Sequence, residues 1–75
     1  MVLNFTIRKT GSSWQIWFES RPTQSPFPTA TAALKVAKLV AANLARSQGH
    51  TVVVHSPFPD VLPREFTYSP PEHGQ

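Results

Sequence analysis

The chain has 75 residues, no cysteine, eight prolines and a formal charge of +3. That length fits one domain, since domains usually run ~100–200 residues, and without thiols packing alone must hold it. A hydrophobic share of 40% is enough for a core, and no apolar run approaches the ~20 residues of a membrane span. The opening MVLNFTIRKT lacks the basic stretch and long apolar run of a signal peptide, so the expected compartment is the cytoplasm.

Seven Lys and Arg against four Asp and Glu admit an acidic partner such as nucleic acid. Only 15% of residues are charged, however. Arg8, Lys9, Arg21, Lys35, Lys38, Arg46 and Arg64 are scattered, whereas a phosphate-tracking surface needs a cluster.

The first elements read as a hairpin. Leu3, Phe5 and Ile7 alternate with Asn4, Thr6 and Arg8, the period of a half-buried strand, and Trp14, Ile16 and Phe18 alternate with Gln15, Trp17 and Glu19. Between them Gly11 suits the positive φ of a type II′ turn. Pairing Thr10 with Ser13 sets Ile7 opposite Ile16 and Phe5 opposite Phe18, placing both apolar sets on one face.

Residues 20–28 hold three prolines and cannot be helix interior. Thr29 is the candidate N-cap of a helix over Ala30–Ser47, an alanine-rich stretch without Gly or Pro that ends toward Gly49. Its core stripe reads as Ala33, Ala37, Val40 and Leu44, flanked by Leu34, Val36 and Ala41, with Lys35, Lys38, Ala42 and Arg46 on the opposite side. His50-Thr-Val-Val-Val-His55 is a β-branched strand whose valines suggest burial on both faces or a central position. After the connection SPFPDVLPRE, Phe66-Thr67-Tyr68 suits a short edge strand. Residues 70–75 close the chain as a flexible tail outside a single domain over 1–69.

The expected fold is therefore α+β: a small two-layer domain of order β-β-α-β(-β), with a hairpin and one helix on a three- or four-stranded sheet. The tetrapeptide Ser25-Pro26-Phe27-Pro28 recurs as Ser56-Pro57-Phe58-Pro59. Both copies read as chain reversals whose Phe caps the core. The other reading is a pair of polyproline-like display segments.

A tryptophan opening the second strand, a Phe-x-Thr step into an alanine-rich helix and a Gly-x-x-Val-Val-Val-His strand resemble the short bacterial proteins of the domain-of-unknown-function family numbered 2188. The matching residues are Trp14, Phe27, Thr29, Ala33, Leu44, Ala45, Gly49, Val52, Val53, Val54 and His55, and Arg64-Glu-Phe-Thr-Tyr68 looks similar to the end of its members. The chain departs from that pattern at Ile16-Trp17-Phe18 with the proline-rich loop after it, and at Pro57, Phe58 and Pro59. The resemblance implies a ββαβ fold and no activity.

No enzyme apparatus is visible. Glu19, Asp60, Glu65 and Glu72 are dispersed, and so small a domain is expected to have little room for a catalytic cleft. His50 and His55 fall on opposite faces of the strand and cannot share a metal. His55 reads as a structural hydrogen-bonding residue, and neither metal nor cofactor is expected. The serines lack a triad arrangement, and no glycine loop cradles phosphate.

Binding is the remaining class. Trp17 projects onto the face opposite Phe5, Ile7 and Phe18, among the polar Asn4, Thr6, Arg8, Gln15 and Glu19. An aromatic in that setting suits a contact hot spot. Three readings stand for Trp17: it anchors a protein interface or a dimer through the sheet, it stacks a base while Arg8 and Lys9 meet phosphates, or it lies beneath Leu62–Tyr68. The candidate contact residues are Thr6, Arg8, Gln15 and Trp17, with Lys35 and Lys38 of the helix able to steer an acidic partner. The preferred expectation is a non-enzymatic regulator or adaptor acting by direct protein contact, by analogy with small bacterial and phage proteins that inhibit host machinery. Nucleic acid is the alternative partner, and no membrane partner is expected.

Overall fold

A computed structural model describes residues 2–23 and 26–70. Strands β1 (Val2–Thr10), β2 (Ser13–Phe18) and β3 (Arg21–Pro22) precede helix α1 (Ala30–Gln48), and β4 (Thr51–His55) and β5 (Glu65–Tyr68) follow it. They form one mixed sheet in the order β3-β2-β1-β4-β5, with α1 across one face. The fold is the expected α+β domain, extended to five strands because the proline-rich segment contributes β3. Most of the expected tail, residues 71–75, lies outside the described residues, as does Ser25 of the first tetrapeptide. Among the described residues, no helix is long and apolar enough to cross a membrane.

The hairpin takes the register that its alternation demands. Phe5 pairs with Phe18, Ile7 with Ile16 and Thr10 with Ser13. Gly11 has φ 64°, while Ser12 has no positive φ, the pattern of a type II′ turn. β4 runs parallel to β1, with Phe5 beside Val54 and Leu3 beside Val52. β5 returns antiparallel, Phe66 beside Val54 and Tyr68 beside Val52. Both apolar residues of β5 therefore face the helix.

Thr29 caps α1 through its Oγ1, which accepts from the Ala32 N–H at 3.1 Å. Gly49 ends the helix at φ 74°, its N–H donating to the Ala45 carbonyl. The buried stripe differs from the expected one. It consists of Ala30, Ala33, Ala37, Ala41 and Ala45, while Val40 and Leu44 are only half-buried at its flank. The side chains that meet the sheet squarely are methyl groups. Val52 and Val54 lie fully buried beneath them, with Ile16, Phe5 and Ile7 completing the core.

The two tetrapeptides behave differently. Phe27 forms an isolated bridge with Trp14, with backbone bonds of 2.8 and 2.6 Å, and packs against the core as expected. Phe58 is half-buried but lies outside the core cluster. Its N–H donates to Ser56 Oγ at 3.1 Å, inside a loop closed by the Ser56 N–H to Arg64 carbonyl bond of 2.8 Å. Only the first copy packs against the core, where its backbone bridges Trp14 of β2.

Enlarging Ala41, which has no exposed surface, tests the methyl seam. Ala41→Leu is expected to lower unfolding free energy by about 1–3 kcal/mol in a urea titration. The same change at half-buried Ala42 is expected to cost under about 1 kcal/mol.

Candidate functional site: an open sheet face and a helix-flank groove

With α1 on one face, the other face of the sheet carries no second layer among the described residues. Alternation along β1, β2, β4 and β5 sends Asn4, Thr6, Arg8, Gln15, Trp17, Val53, His55, Glu65 and Thr67 to that side. Thr6 sits at its centre, paired with Trp17 on one side and His55 on the other. Trp17 also faces Pro22 of β3.

The Arg8 guanidinium lies 4.7 Å from the centre of the Trp17 ring, reaching it diagonally because Arg8 itself pairs with Gln15. A cation over an indole at a site open to solvent contributes about 0.5–1 kcal/mol. The pair therefore forms a composite surface, with the arginine covering one ring face. The indole Nε1–H is buried without an acceptor among the described residues. Such a donor costs about 1–3 kcal/mol, so the position of Trp17 is set by its ring and not by its hydrogen bond. Residues 65–68 do not cover the ring. Glu65–Tyr68 lie in the plane of the sheet as β5, with β4 and β1 between them and β2.

A row of polar contacts crosses the same face. His55 Nε2 lies 3.0 Å from Asn4 Oδ1, and His55 Nδ1 lies 3.6 Å from Glu65 Oε2. The backbone of Asn4 is held in turn by Glu19. The Asn4 N–H donates to Glu19 Oε2 at 2.6 Å, and the Glu19 N–H donates to the Asn4 carbonyl at 2.8 Å. Glu19 adopts φ 58° in the tight turn between β2 and β3, a conformation unusual for a residue with a side chain. The reciprocal bonds offset that strain. His55 takes the structural role expected of it, linking β1, β4 and β5. With Glu65 and Arg8 on one side of the sheet, the face carries both signs of charge.

Lys35 and Lys38 are not part of this face. They belong to α1, on the far side of the sheet, where they border an open groove of about 500 Å³ between the helix and β5. Thr31, Leu34, Leu39, Ala42 and Tyr68 line the rest of it. Lys38 is half-buried and not simply solvated, its ammonium 4.3 Å from the centre of the Phe66 ring. Lys35 is exposed and makes no hydrogen bond or ion pair among the described residues. A second groove, of about 330 Å³, lies on the other flank of α1 and is lined by Leu3, Phe5, Phe18, Thr23, Val40, Leu44, Gln48 and His50. The domain thus has more concave surface than its length suggested. Neither groove carries a carboxylate, and His50 and His55 lie on opposite sides of the sheet. Among the described residues, no three His, Asp or Glu side chains gather as a metal site.

Compared with family models, with curated proteins and with solved structures, the chain matches none. The likeness to the family numbered 2188 therefore gains no support from them.

Burial in the α1–β5 groove raises the ionisation of the Tyr68 phenol above its ordinary 10.0. The chain has one tyrosine, so alkaline absorbance titration reads this group alone. Its midpoint is expected above 10.0 in the folded protein and at the ordinary value in denaturant. Because the folded-state value is the raised one, its contribution to stability is full below the unfolded value and lost as pH climbs through the folded one. Tyr68→Phe is expected to remove that part of the alkaline decline.

Proposed function

We propose that the protein is a small non-enzymatic regulator or adaptor that works by direct contact with another protein through the open sheet face. The observation that carries this reading is the Arg8–Trp17 pair on a face of mixed charge. Trp and Arg are the side chains that dominate protein interfaces, and an arginine already laid on the indole offers both without further ordering. Thr6 and Gln15 beside them supply polar atoms for a rim.

The same geometry weighs against the nucleic-acid alternative. A base could stack on that ring face only by displacing the guanidinium, whose charge is then needed for phosphate. Glu65 on this side repels a polyanion, and the seven basic residues are dispersed over strands, helix and loops. Non-specific binding to nucleic acid rests on clustered cations, which this face lacks.

Affinity capture from lysate of a cell that produces the protein, with the wild-type chain and two variants as bait, tests the reading. Trp17→Ala is expected to stay folded, at a cost of about 1–2 kcal/mol, and to lose the partner. Arg8→Glu changes an exposed position and is expected to weaken capture about tenfold while leaving stability within about 0.5 kcal/mol. A partner retained by both variants overturns the reading. So does single-stranded oligonucleotide binding that falls steeply between about 50 and 200 mM salt and needs Arg8.

A further inference from the structure

β5 is the last strand of the sheet, and no strand pairs with its outer side among the described residues. Such an edge presents backbone N–H and carbonyl groups ready to accept another strand. Natural edges are blunted by proline, bulges or inward-pointing charge. Glu65-Phe66-Thr67-Tyr68 is short and bounded by Pro63 and Pro70, but the strand itself carries no proline, and its two helix-side residues are aromatic. The α1–β5 groove reaches this strand at Tyr68, which with Leu34 and Leu39 forms its apolar wall and floor. Leu39 is 62% exposed, so this wall is uncovered. The only charged side chains that line it are Lys35 and Lys38, and neither has an anionic partner among the described residues. Lys38 is additionally fixed in place by the Phe66 ring.

We propose that this edge and groove together take an extended, acidic segment of a partner protein. The segment adds to the sheet beside β5 through its backbone. Its helix-facing side chains are apolar where they meet Leu34, Leu39 and Tyr68, and carboxylates where they meet the two ammonium groups. Strand addition supplies affinity through main-chain bonds, while side-chain pockets supply selectivity. The charge decides against a second copy of this chain. Pairing two β5 edges about a two-fold axis sets the lysines of one α1 against those of the other, and like charges destabilise such a contact. This surface lies across the sheet from Trp17, so the inference goes beyond the protein contact proposed above and does not depend on it.

The probe is a fluorescein-labelled peptide with threonine at every second position and valine and glutamate in turn at the others. A control peptide has lysine in place of each glutamate. The glutamate peptide is expected to bind with saturable anisotropy and to shift the backbone amide resonances of Glu65–Tyr68, while the lysine peptide does not bind. Lys35→Glu, at an exposed position with no contact to lose, is expected to weaken binding at least about threefold. Lys38→Glu is expected to weaken it further, and Trp17→Ala to leave it unchanged. Equal binding of the two peptides overturns the proposal, as does indifference to Lys35→Glu. Amide shifts confined to β2 and β3, or a dimer in light scattering that Lys35→Glu strengthens, overturn it as well.

Discussion

The alanine seam of α1 is the constraint on which the rest of the molecule depends. Ala30, Ala33, Ala37, Ala41 and Ala45 are the helix residues buried against the sheet, and none extends beyond a methyl group. A small domain buries a modest fraction of its surface, so its core must be dense to hold. Methyl groups let the helix backbone approach Val52 and Val54 closely. The larger Leu34, Val36, Val40 and Leu44 are thereby displaced to the flanks, where they are only half-buried. A twisted sheet falls away from a helix seated over its centre. The flanking side chains therefore overhang β5 on one side and β1 and β2 on the other. The two grooves are the direct result.

The opposite face follows from the same economy. One helix can cover one side, so the other side must be stable in water by itself. Polar alternation along β1 and β2 achieves this, and Asn4 organises it. Its backbone is locked by Glu19 and its side chain meets His55, which in turn faces Glu65. Trp17 is the aromatic exception to the polar rule along β1 and β2 on this face. It keeps an indole donor without an acceptor among the described residues and an arginine on its ring, neither of which the core requires.

Much of this was legible in the sequence. The hairpin register followed from period-2 alternation and Gly11, and the helix limits from Thr29 and Gly49, because each is a local rule with a local cause. The diagonal from Arg8 to Trp17 follows from that register too. β3 was not legible: two residues that include Pro22 give no periodic signal, and their pairing depends on a turn in which Glu19 takes φ 58°. The core stripe was misplaced toward Val40 and Leu44 because hydrophobicity ranks valine and leucine above alanine. Close packing selects the smaller side chain where two backbones approach. Lys35 and Lys38 lie across the sheet from Trp17, as the alternation that turns Trp17 away from the apolar, helix-covered face implies.

The separation of the two surfaces shapes how an adaptor built on this scaffold would work. β1 and β4 stand between them, hydrogen-bonded to each other and buried on the helix side by residues that cannot shift without opening the seam. Such a partition transmits little. A ligand beside β5 shares no residue with the Arg8–Trp17 pair on β1 and β2, and energies at sites without shared partners add. On the proposed reading the two contacts therefore act independently, and the domain acts by proximity. Two modest affinities joined through one rigid sheet give each partner a high local concentration of the other. Holding two surfaces at a fixed separation is the regulatory work that its physics supports.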